Sequence, residues 1–147
     1  MQREHEEAMR ADFDRYVDLS DQKTYGLIQR EDPITAEQLD AIATEREIIA
    51  DRWREGPHAE HWGYLDDAHH DWREAPDTMR RMREDIAHNG GFGVTEIQTR
   101  SLDQAATLVA RSNERTATWQ AEARAQRDAT AGARTGKRAR SGVERSR

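Results

Sequence analysis

The densest group of proton- and metal-binding side chains lies between positions 58 and 71. It comprises His58, His61, Asp66, Asp67, His69, His70 and Asp71, and holds four of the six histidines. At about 100° per residue, a helix over this segment places His58, His61, Trp62, Leu65, His69 and Trp72 within an arc of about 100°. Imidazoles on such a face can ligate a metal, titrate near neutral pH as a pH-responsive contact, or pack with the tryptophans as a contact surface.

The spacing weakens the metal reading. His58 and His61 stand one helical turn apart and can reach a common ion. His69 lies about 16 Å from His58 along the axis, too far to join them at Zn–N distances near 2.0 Å. Asp66 with His69 or His70 is only loosely like the carboxylate-bridged iron sites of helical bundles, which need Glu-x-x-His on two helices. The one Glu-x-x-His candidate, Glu55 to His58, is split by Gly56-Pro57. His58-Ala59-Glu60-His61 also misses the spacing of the zinc hydrolases. A metal-dependent enzyme built on this cluster therefore stands as an alternative that needs ligands from another helix or chain, and no metal or cofactor is assigned. The preferred reading is a partner-binding face of Trp62, Leu65, His69 and Trp72, with the aspartates solvated on the far side.

Two further segments invite a chemical reading. Asn89-Gly90-Gly91-Phe92-Gly93 has the backbone to cradle a phosphate. It lacks the strand before it, the helix directly after it, and the Lys with Ser or Thr that a phosphate loop requires, so it reads as a helix cap and turn. There is no Gly-x-Ser-x-Gly elbow, and the absence of cysteine removes thiol nucleophiles, disulfides and Cys-type zinc fingers. No catalytic residue is assigned. The C-terminal stretch 131–147 carries a charge of +5, leaving −11 on the first 130 residues. Arg134, Lys137, Arg138 and Arg140 are the candidate polyanion contacts, able to neutralise phosphates by counterion release. No aromatic residue interleaves with them, which argues against base stacking. A solubilising tail that neutralises the acidic body is the plainer reading. Arg outnumbers Lys 21 to 2 and Ala also reaches 21, a bias that GC-rich codons of a bacterial or phage genome would produce without selection at single sites.

The elements that must position these residues read as consecutive amphipathic helices. The first spans about Arg3 to Leu19, with Met9, Phe13 and Tyr16 on one face, and the pattern breaks at Thr24–Ile28. Thr35-Ala36-Glu37-Gln38 is a capping box, with Ile34 placed to staple onto Leu39. It opens a helix whose seam is Leu39, Ile42, Arg46, Ile49 and Trp53, while Ile48 points the other way as a second contact surface. Gly56-Pro57 ends this helix. The third helix runs from about His58 to Arg73, and the fourth from about Asp77 to His88, closed by Asn89-Gly90-Gly91. Phe92–Thr99 is expected as loop or one short strand pairing near Tyr25. Ser101-Leu102-Asp103-Gln104 reads as a second capping box. It would open a long fifth helix to about Thr130, with a thinning seam of Leu102, Ala105, Val109, Ser112, Thr116, Trp119 and Ala123.

The expected architecture is all-α: a loose bundle of four to five helices over 1–130, with a long C-terminal helix and a disordered basic tail over 131–147. Only 19 of the 147 residues are Leu, Ile, Val or Phe, so thin apolar stripes are expected to need a second copy or a partner helix. No apolar run approaches membrane-spanning length, and a soluble, cytoplasmic protein is expected. The function these features suggest is a non-enzymatic helical interaction or assembly module, a homo-oligomer or bound to a partner protein. The alternative is a nucleic-acid-associated accessory protein of a plasmid or phage, bound through the tail.

Overall fold

The computed structural model describes residues 2–28 and 34–145, with side chains described at 2–26 and 34–133. The described residues are all-α: α1 (Arg3–Ile28), α2 (Ala36–Arg54), α3 (Ala59–Glu74), α4 (Pro76–His88) and α5 (Glu96–Arg145), with no strand. Among them no helix is long and apolar enough to cross a membrane.

Local chemistry explains most of the boundaries. The Gln38 backbone N–H donates to Thr35 Oγ1 at 3.1 Å, and the Thr35 N–H donates to Gln38 Oε1 at 2.9 Å, completing the expected capping box of α2. Pro76 sits in the first turn of α4, where its missing N–H costs nothing. That helix closes in a Schellman motif. The Gly91 N–H reaches Ile86 O at 2.8 Å and the Gly90 N–H reaches Ala87 O at 3.2 Å. Both glycines take positive φ, 67° and 80°, which side chains with a Cβ resist.

Two boundaries differ from the sequence reading. Helix α1 continues through the expected break to Ile28. The Ser20 and Thr24 hydroxyls donate back to the carbonyls of Tyr16 and Ser20, so neither side chain terminates the helix. Gly26, which looks like a helix breaker, instead lets Ile34 approach: a Cβ there would lie 2.6 Å from Ile34 Cγ2. Helix α5 begins at Glu96, ahead of the Ser101 box. Thr95 and Gln98 form the reciprocal cap, at 3.2 and 3.0 Å. Ser101 is a buried mid-helix residue whose hydroxyl donates to Ile97 O. The short strand expected over Phe92–Thr99 is therefore a turn followed by a helical start, and its supposed partner near Tyr25 is helical. At the other end, the α5 backbone is described to Arg145. The tail expected over 131–147 lies mostly outside the residues whose side chains are described.

The chain divides at Asn113, and from Glu114 onward α5 forms a unit by itself. Residues 1–113 build one core. Met9, Phe13, Val17 and Leu19 of α1 meet Ile49, Ala50 and Trp53 of α2 and Trp62, Leu65, Ala68 and Trp72 of α3. Met79 of α4 and Leu102, Ala105, Leu108 and Val109 of α5 complete it. Trp62 is the aromatic centre, edge-on to Phe13 at 5.1 Å and to Tyr16 at 5.6 Å between ring centroids. Asp12 fastens α1 to α2 by accepting from Trp53 Nε1 at 2.7 Å and Arg52 Nη1 at 2.8 Å. Arg46 lays its guanidinium over the Tyr16 ring, 4.9 Å from the centroid, so this seam cation packs rather than interrupts. The thin stripes thus close on one another. Among the described residues, Ile48, Met82 and Phe92 are the large hydrophobic side chains left exposed, Ile48 as its position on α2 suggests.

The Gly26–Ile34 contact makes a signed prediction. Gly to Ala in a helix interior ordinarily stabilises by about 1 kcal/mol. Here the crowding should win, so Gly26→Ala should lower unfolding free energy by about 1 kcal/mol or more in urea denaturation. Adding Ile34→Ala should recover part of the loss. A more stable single variant would show that the two segments are not in contact.

Candidate functional site

The α3 face expected to dock a partner is turned inward. Trp62 and Leu65 are 1% and 0% exposed, Trp72 is buried, and His69 is half-buried with its ring edge-on to Phe13 at 5.7 Å. Phe13 and Tyr16 of α1 pack against this face, at Trp62 and His69. Trp62 Nε1, Trp72 Nε1 and His69 Nε2 are buried without a hydrogen-bond partner among the described residues. Burial pushes the His69 imidazole down to about 4, helped by the positive charges of Arg73 and His70. At neutral pH it is an uncharged packing group.

The remaining histidines do not converge. His58 stands at the N-cap of α3, with the His5 ring of α1 at 5.1 Å and Trp53 at 6.1 Å between centroids. Burial lowers the His58 pKa, and the neighbouring His5 and His61 push it the same way. Asp66 is half-buried, and burial raises its pKa. His70 and Asp67 are exposed. Among the described residues no three His, Cys, Asp or Glu side chains are grouped so as to hold a metal ion. The 1.5 Å rise per residue spreads the cluster along α3, and α1 brings one imidazole, His5, to its start. That neighbour has no local sequence pattern to announce it.

The most developed polar site was not foreseen. Glu6 is 4% exposed and accepts from Arg10 Nε and Nη2, at 3.0 and 2.9 Å, and from Arg100 Nη1, at 3.0 Å to each carboxylate oxygen. Arg10 donates further to Ser101 Oγ at 3.2 Å, Gln104 Oε1 at 2.9 Å and Ile97 O at 3.0 Å. Gln104 Nε2 answers with bonds to Arg10 O at 2.9 Å and Asp14 Oδ1 at 2.8 Å. Burial raises the Glu6 pKa, but the hydrogen bonds from Arg10 and Arg100 outweigh it and the net shift is downward. The sequence does hold a signal: Glu6 lies three residues before Met9 on the Met9–Phe13 face, and Arg10 follows one turn later. An acid in phase with an apolar stripe needs a cation beside it. These charges fasten α1 to α5.

A surface groove lies between α4, its closing turn and the first turns of α5. It encloses about 370 Å³ and is lined by Arg83, Ile86, Ala87, Gly90, Gly91, Thr99, Leu102 and Asp103. Arg83 Nη2 meets Asp103 Oδ1 at 2.8 Å, both about half exposed. Phe92, next along the chain from Gly91, is 89% exposed. The proposed polyanion contacts Arg134, Lys137, Arg138 and Arg140 lie outside the residues whose side chains are described. Comparison with protein families, with curated proteins and with solved structures finds no match for this chain.

Two measurements test this description. Glu6→Ala strands the part-buried Arg10 and should cost about 3 kcal/mol in urea denaturation, whereas Arg100→Ala, at the exposed side, should cost about 1 kcal/mol. Equal losses would remove Glu6 from the centre of the network. For His69, the unfolded chain binds a proton below the ordinary histidine value of 6.5, while the folded chain resists until about 4. The His69 contribution to stability should therefore fall as pH drops through that window and level off below it. His58 acts with the same sign and Asp66 with the opposite one, so the comparison is with His69→Gln, which should lose less stability between about pH 7 and about pH 5. Parallel curves would place His69 in water.

Proposed function

We propose that this protein is a non-enzymatic helical interaction or assembly module, docking itself or a partner protein at the α4–α5 turn and not through the α3 face. The supporting observation is Phe92. A large aromatic ring stands in solvent on a turn whose backbone is fixed by the Gly90 and Gly91 hydrogen bonds. Ordering costs on binding are then small, and aromatic anchors on fixed mounts are what contact hot spots are made of. Met82 on α4 is exposed as well. The buried polar groups around Glu6 are engaged with one another, which suits a scaffold better than a reactive centre.

A photo-cross-linking amino acid at position 92, in the full chain inside cells, checks this reading. A covalent adduct with a protein is expected from position 92, and none from the exposed α5 position Ala110. No adduct at 92, or equal adducts at both, would remove the interaction surface from this turn.

The charge asymmetry supports a second reading, a nucleic-acid-associated accessory protein acting through Arg134, Lys137, Arg138 and Arg140. An acidic body repels DNA, so binding carried by the tail should fall steeply with salt and vanish when 131–147 are removed. A gel shift at two salt concentrations, with and without those residues, decides it. Binding that survives the truncation would refute the assignment to the tail.

A further inference from the structure

We propose that His5 and His58 form a two-imidazole site for a divalent cation of the zinc class, clamping the start of α1 to the start of α3. The site uses neither the α4–α5 turn nor the interaction reading above.

The spacing of the cluster on α3 leaves an ion in want of a ligand from another helix, and α1 supplies one. The His5 and His58 ring centroids are 5.1 Å apart, with the rings tilted by 45° and not stacked face to face. A Zn–N bond of about 2.0 Å, plus about 1.1 Å from nitrogen to ring centre, puts each centroid about 3.1 Å from a shared ion. A tetrahedral angle at that ion then separates the centroids by about 5.1 Å. A right angle, as in octahedral sites, would call for about 4.4 Å. The rings already stand at the tetrahedral separation, so aiming one nitrogen of each at a common point needs only side-chain rotation.

Both mounts are fixed. Glu6, next to His5, is held by Arg10 and Arg100. His58 follows Gly56-Pro57 at the N-cap of α3, with the Trp53 ring 6.1 Å away. His5 is exposed and His58 half-buried, so an ion has access from solvent. A ligating imidazole must be neutral. Burial, with His5 and His61 nearby, lowers the His58 pKa and keeps that ring neutral at neutral pH. Glu4, Glu55 and Glu60 are exposed close by in the chain and raise the local concentration of cations. Among the described residues no third His, Cys, Asp or Glu side chain completes a metal-holding group, so water fills the remaining positions. The site is therefore exchangeable, unlike a closed structural zinc centre. Its nitrogen ligands discriminate against magnesium and calcium, which require oxygen.

Isothermal titration of the untagged full chain with zinc chloride at neutral pH reads the site directly, with magnesium chloride as the hard-cation control. One zinc per chain is expected, and no comparable magnesium uptake. His5→Ala and His58→Ala should each weaken zinc binding at least about tenfold, since even the loss of a partner behind a ligand costs that much. His88→Ala, at an exposed histidine of α4, should bind zinc as the wild type does. The urea midpoint gives a second readout. Zinc should raise it for the wild type, a chelator should reverse the rise, and neither His5→Ala nor His58→Ala should respond. Helicity by circular dichroism verifies that the variants fold. Absence of both zinc uptake and a midpoint shift in the wild type overturns the site. Full-strength zinc binding in His5→Ala overturns the bridge between α1 and α3. Magnesium acting as strongly as zinc would assign the uptake to carboxylates and overturn the imidazole site.

Discussion

A carboxylate withdrawn from water must find its hydrogen bonds inside the protein, and Glu6 does so by drawing two arginines from different parts of the chain onto itself. Arg10 belongs to the same helix and is delivered by the helical repeat alone. Arg100 is not, and its arrival fixes the first turns of α5 against the start of α1. The secondary bonds of Arg10 to Ile97 O, Ser101 and Gln104 then set the axial position of α5, since three consecutive turns are engaged by one guanidinium. The start of α5 takes its place against α1 from this node.

The same constraint explains how so few aliphatic residues make a core. Helix α1 is in contact with three other helices of residues 1–113. Phe13 and Tyr16 meet Trp62 of α3, Asp12 and Arg15 hold Arg52, Trp53 and Glu45 of α2, and Arg10 with Asp14 holds Gln104 of α5. Aromatic rings supply the buried area, and charge-assisted bonds at the edges of each seam fix the register. The unbonded indole N–H groups of Trp62 and Trp72 oppose this, each at about 1–3 kcal/mol when left unsatisfied. The buried ring area of the same side chains offsets that cost.

Fold class was legible because it rests on periodicity. The 3.6-residue repeat located Met9, Phe13, Ile49, Trp53, Trp62, Leu65, Leu102 and Val109 on buried faces, and all of them are in the core. Local capping chemistry placed α2, and it failed for α5 only because two Ser/Thr-x-x-Gln boxes lie six residues apart and the earlier one is used. What periodicity does not contain is the identity of the opposing surface. An apolar face with two tryptophans looks the same whether it awaits α1 or another molecule, and the face expected to bind a partner through Trp62, Leu65, His69 and Trp72 is packed inside the chain. The Glu6 network was hidden for the reverse reason: its partners are separated by about ninety positions, and no local pattern joins them.

The turn between α4 and α5 shows how two helix-end rules combine into a surface feature. The Schellman motif uses the backbone of Gly90 and Gly91 to satisfy the last carbonyls of α4, and the positive φ values turn the chain sharply away from that helix. The next helix begins after a cap, which Thr95 provides with its side-chain oxygen. Five residues, Gly90 to Val94, span from the Asn89 cap to the Thr95 cap, and Phe92 among them is left 89% exposed. In a chain with spare aliphatic residues, a phenylalanine there would be an idle exception. Here nearly every other large apolar side chain that is described is covered. The uncovered ring beside an apolar groove is where the molecule's surface departs furthest from the pattern set by its core.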